Sequence, residues 1–275
     1  MTKSLKVVYT IWLREYKTFA REKVRVVAMV AQPLLYLAIL GRGITAGMKL
    51  TGAGEVDYIK YMYPGVIGMS ILFTSIFSAL SIIWDREFGF LKEVLVAPVP
   101  RWAVALGKSF GGATVSMFQS VILVAMAPLV GLSLSLGLIA RLLVLAFLLS
   151  FAITSLGIVI ASRMQSMQSF QMVMNFLVMP LYFLSGAMFP MATAPAWMRS
   201  LMTLDPLTYG VDALRNVVFS GTMIKIGNSM KPLVDVARQA GLIRWTLAFD
   251  LALMALVAVL LTVAGAWSFS KSQAV

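Results

Sequence analysis

The chain has 275 residues, of which 60% are hydrophobic and 12% are charged, and its mean hydropathy is +0.89. Soluble domains are closer to half apolar, so this composition favours a membrane protein. The absence of Cys and His excludes disulfides, thiolate chemistry, histidine acid–base catalysis and ordinary zinc sites. In a membrane protein, a net charge of +12 indicates cytoplasmic loops and lipid headgroups rather than nucleic acid.

The first predicted element is an amphipathic helix at residues 2–23. Five of its basic residues, Lys3, Lys6, Arg14, Lys17 and Arg21, fall within about 80° of arc on a helical wheel. The opposite side carries the apolar residues Leu5, Val8, Tyr9, Trp12, Tyr16 and Phe19. This pattern is typical of a helix that lies along the inner leaflet with its cations toward the headgroups. Packing against a partner protein is the alternative.

Long uncharged intervals follow, and a membrane span needs about 20 apolar residues. Six spans are predicted, at about 24–41, 61–84, 104–130, 141–162, 167–188 and 247–269. The fourth is the clearest, because Arg141 and Arg163 bracket about 33 Å of helix. Prolines interrupt the chain after the fifth span, so we expect residues 191–218 to form short re-entrant helices at the outer membrane face.

Lys and Arg are distributed unevenly among the loops. If the N-terminus is cytoplasmic, the inner segments carry 13 of these residues and the short outer loops carry four. Because cytoplasmic loops carry the excess of positive charge, we predict a multi-pass, all-α protein with both termini inside.

One charged stretch, WDREFGFLKEVLVAPVPR at residues 84–101, carries six charges between two apolar intervals. Residues 85–97 are predicted to form a helix with a charged face and an apolar face, and the prolines that follow end it. Such a two-faced helix suits docking into a groove of a soluble partner, although a loop that only fixes topology is the simpler reading. Glu87 falls in the apolar sector, so we expect it to pair with a basic group of that partner.

Two sequences resemble the type-2 ABC exporter permeases. REFGFLKEVLVAPVPR, residues 86–101, is similar to their cytoplasmic segment, in which a charged helix leads to a Leu-rich stretch and a proline turn. LSGAMFPMATAPAWMRSLMTLDPLTYGVDALRNVVF, residues 184–219, is similar to their fifth loop. Asp205 stands where that family often has Asn. The resemblance covers nearly the whole chain and is nearest to the drug and lipid exporter branch.

The resemblance implies a permease of the bacterial or archaeal inner membrane that works as a pair, each copy docked on one ABC ATPase subunit. Two ATPase copies, a second copy of this chain and membrane lipids are therefore the expected partners. The N-terminal helix would be the connecting helix. The implied coupling residues are Asp85, Arg86, Glu87, Phe88, Leu91 and Glu93. The implied re-entrant gate contains Pro195, Trp197, Pro206, Tyr209 and Arg215.

The ATPase motif Walker A, GxxxxGK[ST], is approached by WAVALGKS at residues 102–109. Trp102 replaces the first Gly and the stretch leads into a span, so we interpret the match as coincidence. Lys108 is expected to reach the inner membrane interface. ATP and Mg²⁺ are then expected in a separate ATPase chain, while this chain is a transport subunit that binds no cofactor or metal and is not itself an enzyme.

Polar and aromatic residues within the spans mark a candidate pathway, because polar groups there usually face protein or water. The candidates are Ser70, Thr74, Gln119, Asn175, Tyr182 and Phe183. Helix packing is the alternative for Ser and Thr, and a dimer seam is the alternative for Asn175. Residues 164–202 hold nine of the 19 Met, which fits a hydrophobic or amphipathic cargo such as a drug, a lipid or a lipid-linked glycan.

Two other classes of function stay open at this point. One is a secondary transporter or channel that needs no ATPase, and the other is a membrane scaffold whose charged helix recruits a soluble protein. The predicted spans have no central acid or base, which argues against a proton-coupled antiporter.

Overall fold

The computed structural model describes residues 3–45, 58–89, 99–132, 135–226 and 229–271. These residues are almost entirely helical, which confirms the predicted class. The helices are α1 Lys3–Arg21, α2 Lys23–Thr45, α3 Tyr58–Ser78, α4 Leu80–Glu87, α5 Arg101–Ala125, α6 Leu136–Arg163, α7 Met167–Leu184, α8 Ala196–Leu204, α9 Pro206–Ser220, α10 Leu233–Gln239 and α11 Leu247–Lys271. Two 3₁₀ turns lie at Ala127–Val130 and Met191–Thr193.

Among the described residues, four helical segments are long and apolar enough to cross a membrane. They are Tyr58–Glu87, Leu136–Arg163, Met167–Leu184 and Leu247–Ser268. Helices α2 and α5 occupy the predicted first and third spans but are not among the four. The six-span arrangement therefore stays a prediction.

Helix α3 is the centre of the bundle. Its side chains are buried along most of its length, and it packs against α2, α5, α6 and α9. A break at Ala79 separates it from α4, which ends at Glu87 and is followed by Gly89 with a left-handed φ of 80°. Residues 85–87 thus end the helix of the second span rather than begin a separate one. Residues 90–97 of the predicted coupling helix lie outside the described residues.

Helices α6 and α11 run parallel to each other. The Ser155 and Thr262 hydroxyls lie 3.0 Å apart, and Ser162 donates to the Ser268 hydroxyl at 2.7 Å one to two turns further along both helices. The chain between two parallel helices must return to the side where it began. Among the described residues between α6 and α11, helix α7 is long and apolar enough to make that return across a membrane.

Short helices, α8 and α9, lie within residues 191–218, and their re-entrant position at the outer membrane face stays a prediction. Helix α9 is buried from Leu207 to Phe219 and packs against α3, α6 and α11. An antiparallel hairpin follows, formed by β1 Met223–Ile226 and β2 Ser229–Pro232. This hairpin was not predicted, and it is the exception to the all-α description.

The close approach of α3 to the turn after α7 generates a test of the packing. A Cβ at Gly65 would lie 2.7 Å from the Ala187 carbonyl oxygen and 2.9 Å from its Cα. Because backbone atoms cannot rotate away, we expect Gly65→Ala to destabilise the fold by about 1–3 kcal/mol, measured as a lower Tm of the purified protein. The matched control is Gly137→Ala in α6, where a Cβ would meet nothing within 4 Å. An equal loss in both variants would contradict this packing.

Candidate functional site

Four charged side chains from α1, α4 and α5 meet near the end of α4. Arg14 Nη1 donates to Asp85 at 2.9 Å, and Lys108 donates to the same carboxylate. Lys108 also donates to Glu15 at 2.7 Å and to the Ser81 hydroxyl at 3.0 Å. Asp85 and Lys108 are each only 4% exposed. Arg14, Glu15, Asp85 and Lys108 are named the charged cluster below.

Glycines on α5 let α1 approach closely enough to build this cluster. A Cβ at Gly107 would lie 2.8 Å from Ile11 Cβ, and one at Gly111 would lie 2.6 Å from Glu15 Cβ. The Trp12 indole donates to the Thr114 hydroxyl at 2.8 Å, a second contact that holds α1 against α5. Helix α1 therefore packs against its own chain along one side, while Leu5, Tyr9 and Tyr16 are exposed.

The Walker-like tail has a structural role in this arrangement. Gly107, Lys108 and Ser109 lie inside α5, whereas a phosphate-binding loop precedes its helix. The prediction that Lys108 reaches the membrane interface is wrong, since its ammonium group is buried between two carboxylates. Ser109 Oγ lies 3.2 Å from Ser155 Oγ, so this tail joins α5 to its neighbouring helices.

The C-terminal end of α4 and the residue after it, 85–88, are named the foot of α4. This segment divides the predicted coupling residues into two groups. Asp85 belongs to the charged cluster, and Arg86 donates to the backbone carbonyls of Ser162, at 3.1 Å, and of Met164. Glu87 and Phe88 are exposed, Phe88 to 82%. The Glu87 carboxylate also accepts a 3.4 Å hydrogen bond from the backbone N–H of Met167. The remaining two predicted residues, Leu91 and Glu93, lie outside the described residues.

Three predicted pathway residues meet in one groove. Ser70, Thr74 and Gln119 line a cavity of about 250 Å³ between α2 and α3, which is named the α2–α3 groove. Gln119 accepts from Thr74 and donates to the Met29 carbonyl at 3.2 Å. The other lining residues are Arg25, Ala28, Met29, Gln32, Tyr36, Met69, Phe73 and Phe77.

A second cavity of about 270 Å³ lies between the α2–α3 groove and the charged cluster. Arg25 and Phe77 line both cavities. Arg14, Glu15 and Asp85 line the second one. The α2–α3 groove and the charged cluster are therefore connected through the residues that line this second cavity.

The other three predicted pathway residues lie on α7, outside this groove. Tyr182 is buried, whereas Asn175 and Phe183 are exposed. Helix α7 buries one narrow stripe, formed by Phe170, Met174, Val178 and Tyr182. Most of its other residues are exposed in the single chain, although Met167, Leu177 and Leu181 are partly buried.

Two predicted gate residues hold α9 in place. The Arg215 guanidinium lies 4.2 Å from the Tyr61 ring centroid and donates to the carbonyls of Gly186, at 2.9 Å, and Leu242, at 3.2 Å. The Tyr209 hydroxyl donates to the Thr203 carbonyl at 2.6 Å. The other three sit at helix starts: Pro195 directly before α8, exposed Trp197 within it, and Pro206 as the first residue of α9.

Sequence reasoning missed two polar residues of α9. Buried Asp212 accepts from the backbone N–H groups of Arg244, at 3.2 Å, and Trp245, at 3.0 Å. Asn216 donates to the Trp245 carbonyl at 3.2 Å. Both side chains attach α9 to the chain that leads into α11. Their spacing was a usable signal, because polar residues three and four apart share one face of a helix.

Comparison with known proteins shows that one protein-family model matches most of the chain. The model for the ABC-2 type transporter matches residues 6–219, the stretch that runs from α1 to α9. The putative transport permease ycf38 of Cyanophora paradoxa is 30% identical over 198 residues, which cover 71% of this chain and 68% of that protein.

Two further relatives are more distant in sequence. The probable multidrug ABC transporter permease YbhR of Escherichia coli (strain K12) is 24% identical over 189 residues, 68% of this chain and 51% of that protein. The chain thus matches about half the length of YbhR. Nodulation protein J of Rhizobium leguminosarum bv. trifolii is 25% identical over 234 residues, 84% of each chain.

The burial of Lys108 generates a test of the charged cluster. Removing one partner of a buried ion pair leaves an uncompensated charge, so Lys108→Met should cost about 3 kcal/mol and lower the Tm by roughly 5–10 °C. Lys6→Met, which removes an exposed cation from α1, is the control. Adding Glu15→Gln to Lys108→Met should cost less than the two single changes together. Equal Tm values for the Lys108 and Lys6 variants would refute the cluster's role in stability.

Asp205 caps the N-terminus of α9. Its Oδ1 accepts from the Leu207 N–H at 2.9 Å, and the residue is 4% exposed. This burial raises the pKa of Asp205 from 3.8 to about 7. Between pH 4 and pH 7 the folded state therefore keeps a proton that the unfolded state loses, so this group's contribution to stability falls as the pH rises through that range.

Asp205→Asn should remove this pH dependence, because Asn keeps the capping oxygen and cannot ionise. We expect the variant to have a Tm a few degrees above wild type at pH 8, a smaller gain at pH 5 and a similar Tm below pH 4. Asp235→Asn, at an exposed site in α10, should change the Tm little at either pH. A Tm difference for Asp205→Asn that stays constant from pH 5 to pH 8 would count against the proposed protonation.

Proposed function

This chain belongs to the ABC-2 type transporter family, and we propose that it is the transmembrane permease of an ATP-driven exporter whose ATPase is a separate chain. The names of the relatives YbhR, a multidrug ABC transporter permease, and ycf38, a transport permease, support this role. The proposed cargo is a hydrophobic or amphipathic molecule such as a drug, a lipid or a lipid-linked glycan. ATP and Mg²⁺ would bind the ATPase, and no cofactor would bind this chain.

The observation that carries the proposal is the exposed foot of α4 directly beyond the buried charged cluster. Phe88 is a large apolar side chain left in solvent next to the carboxylate of Glu87. An exposed aromatic beside a charge suits a pocket on a soluble partner. We place the ATPase contact here, with Leu91 and Glu93 continuing it.

Asp85 and Arg86 take a different part in this mechanism. Asp85 binds α4 to α1 and α5, and Arg86 binds α4 to the end of α6. These contacts would transmit a movement of the foot of α4 to three other helices, because buried ionic contacts resist separation. Asp85 and Arg86 thus serve as transmitting residues in the proposal, and Glu87 and Phe88 serve as docking residues.

A second copy of this chain would cover α7. Outside its buried stripe, this helix exposes Phe176 and Phe183 together with the amides of Gln168, Gln171 and Asn175. Amide groups in hydrocarbon are costly without hydrogen-bond partners. A matching copy supplies such partners across a two-fold axis, and the homodimer would place the cargo path along this seam.

The remaining geometry fits an inner membrane permease with cytoplasmic termini. In this proposal α2 and α5 are the first and third of six spans. Helix α9 has 15 residues, or about 22 Å, which is too short for a hydrocarbon core of about 30 Å. A buried helix of this length supports a re-entrant segment at the outer mouth. ATP binding would bring the two ATPase subunits together, and the two permease copies would then tilt relative to each other.

The docking residues can be tested by co-purification with the ATPase. Glu87→Lys combined with Phe88→Ala should weaken the association about tenfold or more, since truncation of an interface anchor costs about 2 kcal/mol. The Tm should change little, because both side chains are exposed. The matched control is Asp235→Lys with Leu204→Ala, which changes an exposed acid and a side chain that is 79% exposed away from α4. Unchanged association of the Glu87/Phe88 variant would sink the coupling role and favour a transporter without an ATPase.

A further inference from the structure

The α2–α3 groove has a charge at one end. Among the described residues, Arg25 is the only charged side chain in its lining. The guanidinium makes two long hydrogen bonds, 3.3 Å to Glu22 and 3.4 Å to the Ser78 hydroxyl, and lies 5.8 Å from the Phe19 ring centroid. The Arg25 side chain is 30% exposed, and a pair of this kind contributes little to stability. Arg25 can therefore exchange its partner for another acid at low cost.

The rest of the groove is suited to an apolar chain. Met29, Met69 and Phe73 line it beyond Arg25, and Met side chains adapt to apolar groups of varied shape. The polar groups of Thr74 and Gln119 already bind each other and the Met29 carbonyl. They therefore do not require a polar ligand.

We propose that the α2–α3 groove binds an anionic amphiphile, with its acidic headgroup on Arg25 and its apolar chain along α3. A guanidinium binds phosphate and carboxylate oxygens in a bidentate manner. A cationic amphiphile would bring two positive charges together at the same position.

This inference rests on the proposed function for its orientation and for naming the cargo class. With the N-terminus cytoplasmic, Arg25 lies at the start of α2, at the level of the inner leaflet headgroups. An inner leaflet lipid then enters the groove with its head and chain already aligned. The groove is also adjacent to the charged cluster, since Arg25 lines the cavity between them.

The test is binding of two lipids with identical chains to the purified full-length chain, without any ATPase. Dioleoyl phosphatidylglycerol carries a net negative charge, and dioleoyl phosphatidylcholine carries none. We expect native mass spectrometry to show about tenfold tighter binding of the phosphatidylglycerol. Arg25→Gln should lower that affinity to the level of phosphatidylcholine and leave phosphatidylcholine binding unchanged.

Three controls decide what the result means. Glu22→Gln removes the competing carboxylate, so phosphatidylglycerol should bind equally well or more tightly. Arg21→Gln removes an exposed cation that does not line the groove, and it should have no effect. Glycerol phosphate, which has the headgroup charge without the chains, should not displace the lipid at equal concentration.

Several outcomes would overturn the inference. Equal affinity for both lipids would show that the groove does not select an anion. Equal losses from Arg25→Gln and Arg21→Gln would indicate general attraction to a basic surface. Displacement by glycerol phosphate would indicate a site for free phosphate. Because no ATPase is present, a failure here is distinct from a failure of the coupling proposal.

Discussion

A buried charge requires an opposite charge beside it, and this requirement fixes how α1, α4 and α5 lie together. Asp85 is inside the bundle, and its energy is acceptable because Arg14 and Lys108 both bind it. Lys108 in turn needs Glu15. A shift of α1 by one turn would separate these groups and leave charges unpaired in a region of low dielectric. The three helices are therefore expected to move as one unit.

This unit of α1, α4 and α5 lies between the two regions for which functions are proposed, the foot of α4 and the α2–α3 groove. Its exposed end is the foot of α4, with Glu87 and Phe88. Its other side forms a wall of the cavity that shares Arg25 with the α2–α3 groove. In the proposed mechanism, a displacement at the foot would reach the groove through α1 and the start of α2, because both segments line the cavity between the cluster and the groove. Proposed coupling and proposed cargo binding would then meet at this cavity.

The sequence predicted the helices whose residues follow a periodic or uncharged pattern along the chain. Basic periodicity predicted α1, and the uncharged interval between Arg141 and Arg163 predicted most of α6, which begins earlier because Ser135 caps it. The pairing of Lys108 could not be predicted, since Glu15 is 93 positions away in sequence. The same limit applies to Asp85, which on a helical wheel shares the charged face with Arg86, Lys92 and Glu93. Only the packing of α1 on α5 shows that its carboxylate is buried.

Polar residues inside spans illustrate the distinction most clearly. The sequence identifies Thr74, Gln119 and Asn175 as members of one class, because each is a polar group in an apolar interval. The structure divides them by their hydrogen bonds. Thr74 and Gln119 satisfy each other and the Met29 carbonyl within the chain, so these two groups need no polar ligand in the cavity that they line. Asn175 is exposed on α7, where the cost of an amide in hydrocarbon favours a partner outside the single chain. One type of residue thus lines a groove in the first case and, in the proposed homodimer, a seam between copies in the second.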